Sequence, residues 1–206
     1  MKKSVLNKGK KYTFSDYFEL NNPTKEILRE FGYKYDFKEL NLPETKMEIR
    51  SLEKLRNTYV RKLPFISLNS ETAKREFYIS PLLLEILDYL NAEINVEYPL
   101  DAGENLSGTI DYLIKYSSNI LIVEAKKGDL EKGFNQLAIE LIAMDKYEES
   151  PPRILYGAVT LGDIWRFGIL LREEKQLKKD MNAYVIPSDL ERLFAILLGI
   201  LETQES

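Results

Sequence analysis

Apolar positions along the chain repeat with two different periods. From Ile94 to Leu100 the pattern is that of a strand, and a turn over Asp101-Ala-Gly-Glu-Asn105 follows it. Ser107–Lys126, SGTIDYLIKYSSNILIVEAK, predicts two strands joined at Ser117-Ser118-Asn119. Past Lys126 the period changes to that of a helix. Asp129 stands as its cap, and Phe134, Leu137, Ala138, Leu141 and Ile142 line one face. Pro151-Pro152 closes that region. A buried strand, Ile154–Thr160, then turns at Leu161-Gly162-Asp163 into a partner running from Trp165 to Leu170. The last helix is expected from Ser188, with Glu191 completing a capping box and Leu190, Leu193, Phe194, Leu197, Leu198 and Leu201 making a broad apolar face. That face docks on the sheet or forms a homodimer contact.

The N-terminal third is less regular. A basic lead contains Lys2, Lys3, Lys8, Lys10 and Lys11, and a short helix is expected over residues 24–31, ended by Gly32. The dense aromatics Tyr12, Phe14, Tyr17, Phe18, Tyr33, Tyr35 and Phe37 read first as packing for this arm, with a base-stacking surface as the alternative. Residues 44–62 predict a helix with Met47, Leu52, Leu55 and Tyr59 inward. A further helix begins at the cap Ser70 and runs to about Leu90, with a kink or break at Pro81. Residues 1–68 are taken as an arm and helix packed on a core of residues 69–206, the two forming one compact unit. The succession of elements predicts an α/β (α+β) fold, a central mixed β-sheet flanked by helices.

Composition narrows the chemistry. The 206 residues include neither cysteine nor histidine. Disulfides, thiolate metal sites, imidazole general bases and Ser-His-Asp triads are therefore excluded. A net charge of −4 gives no support of its own to nucleic-acid binding. No apolar run reaches membrane-spanning length and no signal core follows the basic start, so a cytoplasmic protein without membrane contact is expected.

The chemistry left to carboxylates and lysines concentrates in the hairpin. Asp111 sits in an otherwise apolar strand. Glu124 and Lys126 alternate with Ala125 at the end of the next strand and so share a face. A register that sets Asp111 beside Glu124 creates a repulsion that a cation relieves. Two hard oxygen ligands suit Mg²⁺ (or Mn²⁺).

Asp111 followed by Glu124-Ala125-Lys126 resembles the motif of the PD-(D/E)xK nuclease superfamily, whose fold is restriction-endonuclease-like. Ile110 replaces the motif's proline. The resemblance covers about the last two thirds of the chain, and the order helix, hairpin, helix, strand supports it. It implies Mg²⁺-dependent hydrolysis of a nucleic-acid phosphodiester, with DNA the expected partner. Asp111 and Glu124 would hold the metal, the Ala125 carbonyl would add a ligand, and Lys126 would position the nucleophile or contact the phosphate. Gln136, on the helix that follows, would face the site. A third acid is implied from the preceding helix, Glu71 or Glu76. At about 100° per residue the two lie on different faces, and Glu76 falls on the stripe of Ile79, Leu83, Ile86, Leu87 and Leu90. Glu76 is therefore the expected third ligand. The alternative function is a nuclease-like module that binds nucleic acid or protein without cutting.

Overall fold

The structure is a computed structural model and describes residues 4–7, 9–150 and 152–203. Lys2, Lys3, Lys8 and Pro151 lie outside the described residues. In chain order the elements are α1 (Phe14–Glu19), α2 (Thr24–Glu30), β1 (Lys34–Lys38), α3 (Glu53–Asn57), α4 (Glu71–Lys74), α5 (Ser80–Glu85), β2 (Glu93–Asp101), β3 (Ser107–Tyr116), β4 (Asn119–Ala125), α6 (Leu130–Tyr147), β5 (Ile154–Thr160), β6 (Ile164–Leu171), β7 (Gln176–Asp180), β8 (Tyr184–Val185) and α7 (Leu190–Glu202).

One mixed sheet organises them, in the order β1-β7-β6-β5-β4-β3-β2, with β8 on the far end of β6. β2, β3 and β4 form an antiparallel meander. β5 runs parallel to β4, and α6 makes the crossover between them. β4 is buried along its whole length, as the unbroken Ile120–Val123 run requires of a strand covered on both sides. One face of the sheet receives α6 with α1 and α2. The other receives α7 and the helical segments between Leu52 and Leu90.

The apolar face of α7 is spent on its own sheet: Leu190, Leu193, Phe194, Leu197, Leu198 and Leu201 are all buried there. That contact settles the open choice for this helix in favour of docking. The helix begins two residues later than its sequence signature predicts. Ser188 Oγ donates to the Val185 carbonyl and Asp189 accepts from the Val185 N–H, so the Ser188–Glu191 box does not form.

Two further expectations are corrected. Residues 44–52 are not helical. They run as an extended strap along α7, pinned by the Thr45 N–H on the Ala195 carbonyl (2.9 Å) and Thr45 Oγ1 on Glu202 (2.8 Å). The strap is possible because Gly199 has no side chain: a Cβ there would lie 2.5 Å from the Pro43 carbonyl oxygen. Gly199→Ala is therefore expected to cost roughly 1–3 kcal/mol and lower the melting midpoint by several degrees. An unchanged midpoint in a thermal melt would contradict this packing.

Residues 1–68 are more than an arm. β1 pairs parallel with β7 and becomes an edge of the common sheet. Tyr12, Phe14 and Tyr17 are buried on the α6 side, the packing role expected of them.

Candidate active site

The β3–β4 register pairs Tyr112 with Val123, so the next residues, Asp111 and Glu124, stand opposite each other. Regular pairing stops there. Asp111 Oδ2 instead accepts the Ala125 N–H at 2.9 Å, a side chain closing a bond that the ladder leaves open. Arg75 reaches the other oxygen: its Nη1 lies 3.4 Å from Asp111 Oδ1 and 3.1 Å from Glu97 Oε1, with the guanidinium over the Tyr112 ring. Asp111 is thus held from two directions while remaining slightly open to solvent.

Glu124 points from β4 toward α6 and is only 1 % exposed. Its Oε1 accepts from Lys126 Nζ at 2.5 Å and from Gln136 Nε2 at 2.6 Å. The same Gln136 nitrogen is 2.9 Å from Oε1 of Glu140, which is fully buried one turn further along α6. Gly133 permits this closeness: a Cβ there would sit 2.9 Å from Lys126 Cγ and 2.7 Å from Val159 Cγ2. Phe18, from α1, lies over the Lys126 ammonium at 5.4 Å. Ala125 faces the opposite core, as strand alternation demands, while Lys127 is exposed.

Electrostatics follow from burial. Burial, then the Glu140 and Asp111 carboxylates, push the Glu124 carboxyl well above the usual range, against the pull of Lys126. Burial likewise pushes Glu140 up to about 7. The two carboxyls are close enough to hydrogen-bond. Both shifts are upward, so the buried pair holds a proton into the neutral range. For Lys126, burial works against the charge, but Glu124, then Glu71 and Asp111, outweigh it and hold the ammonium's pKa above its ordinary value.

Oε2 of Glu124, Oε2 of Glu140 and Oε1 of Gln136 are buried and have no hydrogen-bond partner among the described residues. Buried acceptors in this state are uncommon, and three on neighbouring side chains leave room for a donor or a cation. Among the described residues, no three carboxylates converge as a ready metal cage.

The structure therefore brings together Asp111, Glu124, Lys126 and Gln136 as the sequence predicts. Glu76 does not join them. It is exposed, whereas Glu71 is half-buried and close enough to Lys126 to act on its charge. Nearby, Lys74 Nζ donates to the Lys127 carbonyl at 3.0 Å. The physical reason is a π turn over Arg75–Ile79, where the Ser80 N–H bonds back to Arg75. A wider turn advances each residue through a smaller angle, so projecting 100° per residue back from Ile79 misplaces everything before it. Pro81 follows this turn in the first turn of α5, so the regular helix is interrupted next to it, as its ring chemistry suggested. Leu87, placed on the inner stripe by the same projection, is exposed, and Leu82 is buried instead.

Glu140 and Arg75 are the functional candidates that sequence reasoning did not assign. Glu140 had a signal: it is a lone carboxylate within Leu137-Ala138-Ile139-Glu140-Leu141-Ile142. Arg75 had none, since a helix arginine resembles any solvated one.

Comparison with protein-family models, with curated proteins and with solved structures finds no match to this chain.

Proposed function

We propose that this chain is a divalent-metal-dependent nuclease of the restriction-endonuclease-like type, hydrolysing nucleic-acid phosphodiester bonds at the Asp111–Glu124–Lys126 site. One observation carries the reading. Asp111 and Glu124 face each other where the β3–β4 ladder opens, with Lys126 on Glu124 and three unpartnered acceptor oxygens behind them. The order of α4 and α5, the β2–β4 meander, α6 and parallel β5 is the order that the sequence resemblance implies.

The residues present suit a hard cation. Asp111 and Glu124 supply carboxylate oxygens, and the orphaned oxygens of Glu124, Glu140 and Gln136 add acceptor capacity that no other described residue satisfies. Glu71 replaces Glu76 as the third acid of the proposal. Mg²⁺ or Mn²⁺ in such a site supplies hydroxide near neutral pH and stabilises charge on the scissile phosphate.

The chain's own residues do the remaining work. Arg75 and the Ala125 N–H fix the Asp111 carboxylate, and Gln136 fixes Glu124. Lys126 has three N–H donors and gives one to Glu124, leaving two for a phosphate oxygen or the attacking water. Its raised pKa keeps it charged throughout the neutral range. A proton held by the Glu124–Glu140 pair spares this pocket a second negative charge.

Lys126→Ala is expected to reduce cleavage by about 10²–10³-fold while retaining cation binding, because an ammonium is not a ligand. Lys127→Ala, on the exposed neighbour, is expected to keep wild-type rates. Gel assays of the two variants on DNA and RNA in Mn²⁺ check this. An inactive Lys127→Ala beside an active Lys126→Ala would refute the assignment.

A further inference from the structure

A second polar cluster lies on the same face of the sheet. Registers across β4, β5 and β6 align Glu124 with Val159 and Val159 with Arg166. Arg166 therefore stands two strands from Glu124, about 10 Å at the spacing of paired strands. Its Nη1 is 3.0 Å from Glu131 Oε1, at the start of α6. Lys179 Nζ, from β7, holds the other oxygen of Glu131 at 2.5 Å.

This arrangement is unusual in three ways. Lys179 has a side chain only 1 % exposed, enclosed by the rings of Phe134 and Phe37 at 4.9 and 5.6 Å. Burial, opposed by Glu131, lowers its pKa from the ordinary lysine value. The carboxylate shared by both cations is itself 67 % exposed, so two inward cations depend on one outward anion. Arg166 Nε is buried and makes no hydrogen bond to any described residue. Asp129, the other acid acting on Lys179, already accepts the Lys132 N–H.

Glu131 also lines an open cleft of about 430 Å³, together with Lys25, Lys132, Tyr35, Asn22 and Asn135. Glu131 thus stands between the cleft and the two cations, and an incoming anion reaches them by taking its place in the two ion pairs. A phosphate offers more acceptor oxygens than a carboxylate and can engage the fork of a guanidinium in two places.

We propose that Arg166 and Lys179 form a phosphate-binding subsite, closed in the free protein by Glu131, that holds a neighbouring phosphate of the polynucleotide cut at Asp111 and Glu124. The choice of a polynucleotide as occupant rests on the nuclease reading. The anion site itself rests on the cluster alone.

The test measures binding without metal, in EDTA, so that no cleavage intervenes. A fluorescent single-stranded oligonucleotide is titrated at several salt concentrations, and inorganic phosphate is followed by its effect on the thermal midpoint. Arg166→Gln is expected to weaken oligonucleotide binding about tenfold and to reduce the log–log salt slope by roughly 0.7, one phosphate contact on a single strand. Glu131→Gln is expected to tighten both ligands several-fold, because it frees the two cations. A merely structural ion pair gives no such tightening, and melting curves without ligand show that each variant is folded.

Unchanged affinities and salt slopes in both variants would overturn the subsite, even if the wild type cleaves in an Asp111-dependent way. Phosphate binding with no oligonucleotide binding would overturn the polynucleotide occupant. Oligonucleotide binding that depends on Arg166 and Glu131 in the expected directions supports the subsite, even if no cleavage is found.

Discussion

Asp111→Asn is expected to abolish divalent-cation binding and leave the fold standing. The carboxylate is open to solvent, unlike Glu124 and Glu140, and its charge acts on both of them. Removing a partner beyond the ligands of a metal site commonly costs 10–100-fold in affinity, so loss of a direct ligand should cost at least about 100-fold. The fold should survive because an amide oxygen can still accept the Ala125 N–H. The ion pair with Arg75 is lost, but so is a repulsion: Asp111 raises the pKa of both buried carboxyls, and its neutralisation relieves them. Melting midpoints of wild type and variant should therefore agree within a few degrees. Calorimetric titration with Mg²⁺ and Mn²⁺ checks the binding. Equal affinity in the two proteins would remove Asp111 from the site.

The second large effect concerns pH. The Glu140 carboxyl has an ordinary value of 4.5 and is pushed up to about 7 by burial. Below pH 4.5 the folded and unfolded chains both hold the proton, and Glu140 imposes no penalty. Between 4.5 and about 7 the folded chain keeps a proton that the unfolded chain has released, so stability falls as pH rises. Above about 7 the penalty is complete, on the order of 3 kcal/mol. Glu140→Gln removes it. The variant should match the wild type near pH 4.5 and exceed it at pH 8 by roughly 5–10 °C in melting midpoint. Superimposable pH–stability curves for the two proteins would contradict the buried-proton assignment.

Much of this arrangement was legible in the sequence, and the exceptions have physical causes. The central hairpin declared itself through apolar runs on both sides of a polar turn, and the Asp111–Glu124 opposition followed from register. Asp129 does cap α6, accepting the Lys132 N–H at 3.0 Å, and Ser70 caps α4 through the Ala73 N–H. β1 and β7 were hidden because their sequences, KYDFK and QLKKD, are polar. β7 nevertheless buries Lys179 and Asp180, which no hydropathy pattern predicts. Buried charges of this kind meet partners far away in sequence: Lys179 meets Glu131, and Asp180 accepts the Leu40 N–H. The same limit explains Glu140, whose partners come from β4 and its own preceding turn. The misplacement of Glu76 on the inner face has a different origin. Periodicity assumes a uniform helix, and the π turn before Pro81 breaks that uniformity at the point where the extrapolation needed it.

Catalysis by the opened β3–β4 edge is the central claim, and one measurement addresses it directly. Wild-type protein and Asp111→Asn are incubated with mixed DNA and RNA substrates, single- and double-stranded, in Mg²⁺ or Mn²⁺, and the products are resolved by size. The account predicts cleavage products with the wild type, none with EDTA, and a loss on the order of 10³-fold or more with the variant. Bound but intact substrates of every type, or products that persist undiminished with Asp111→Asn, would contradict it.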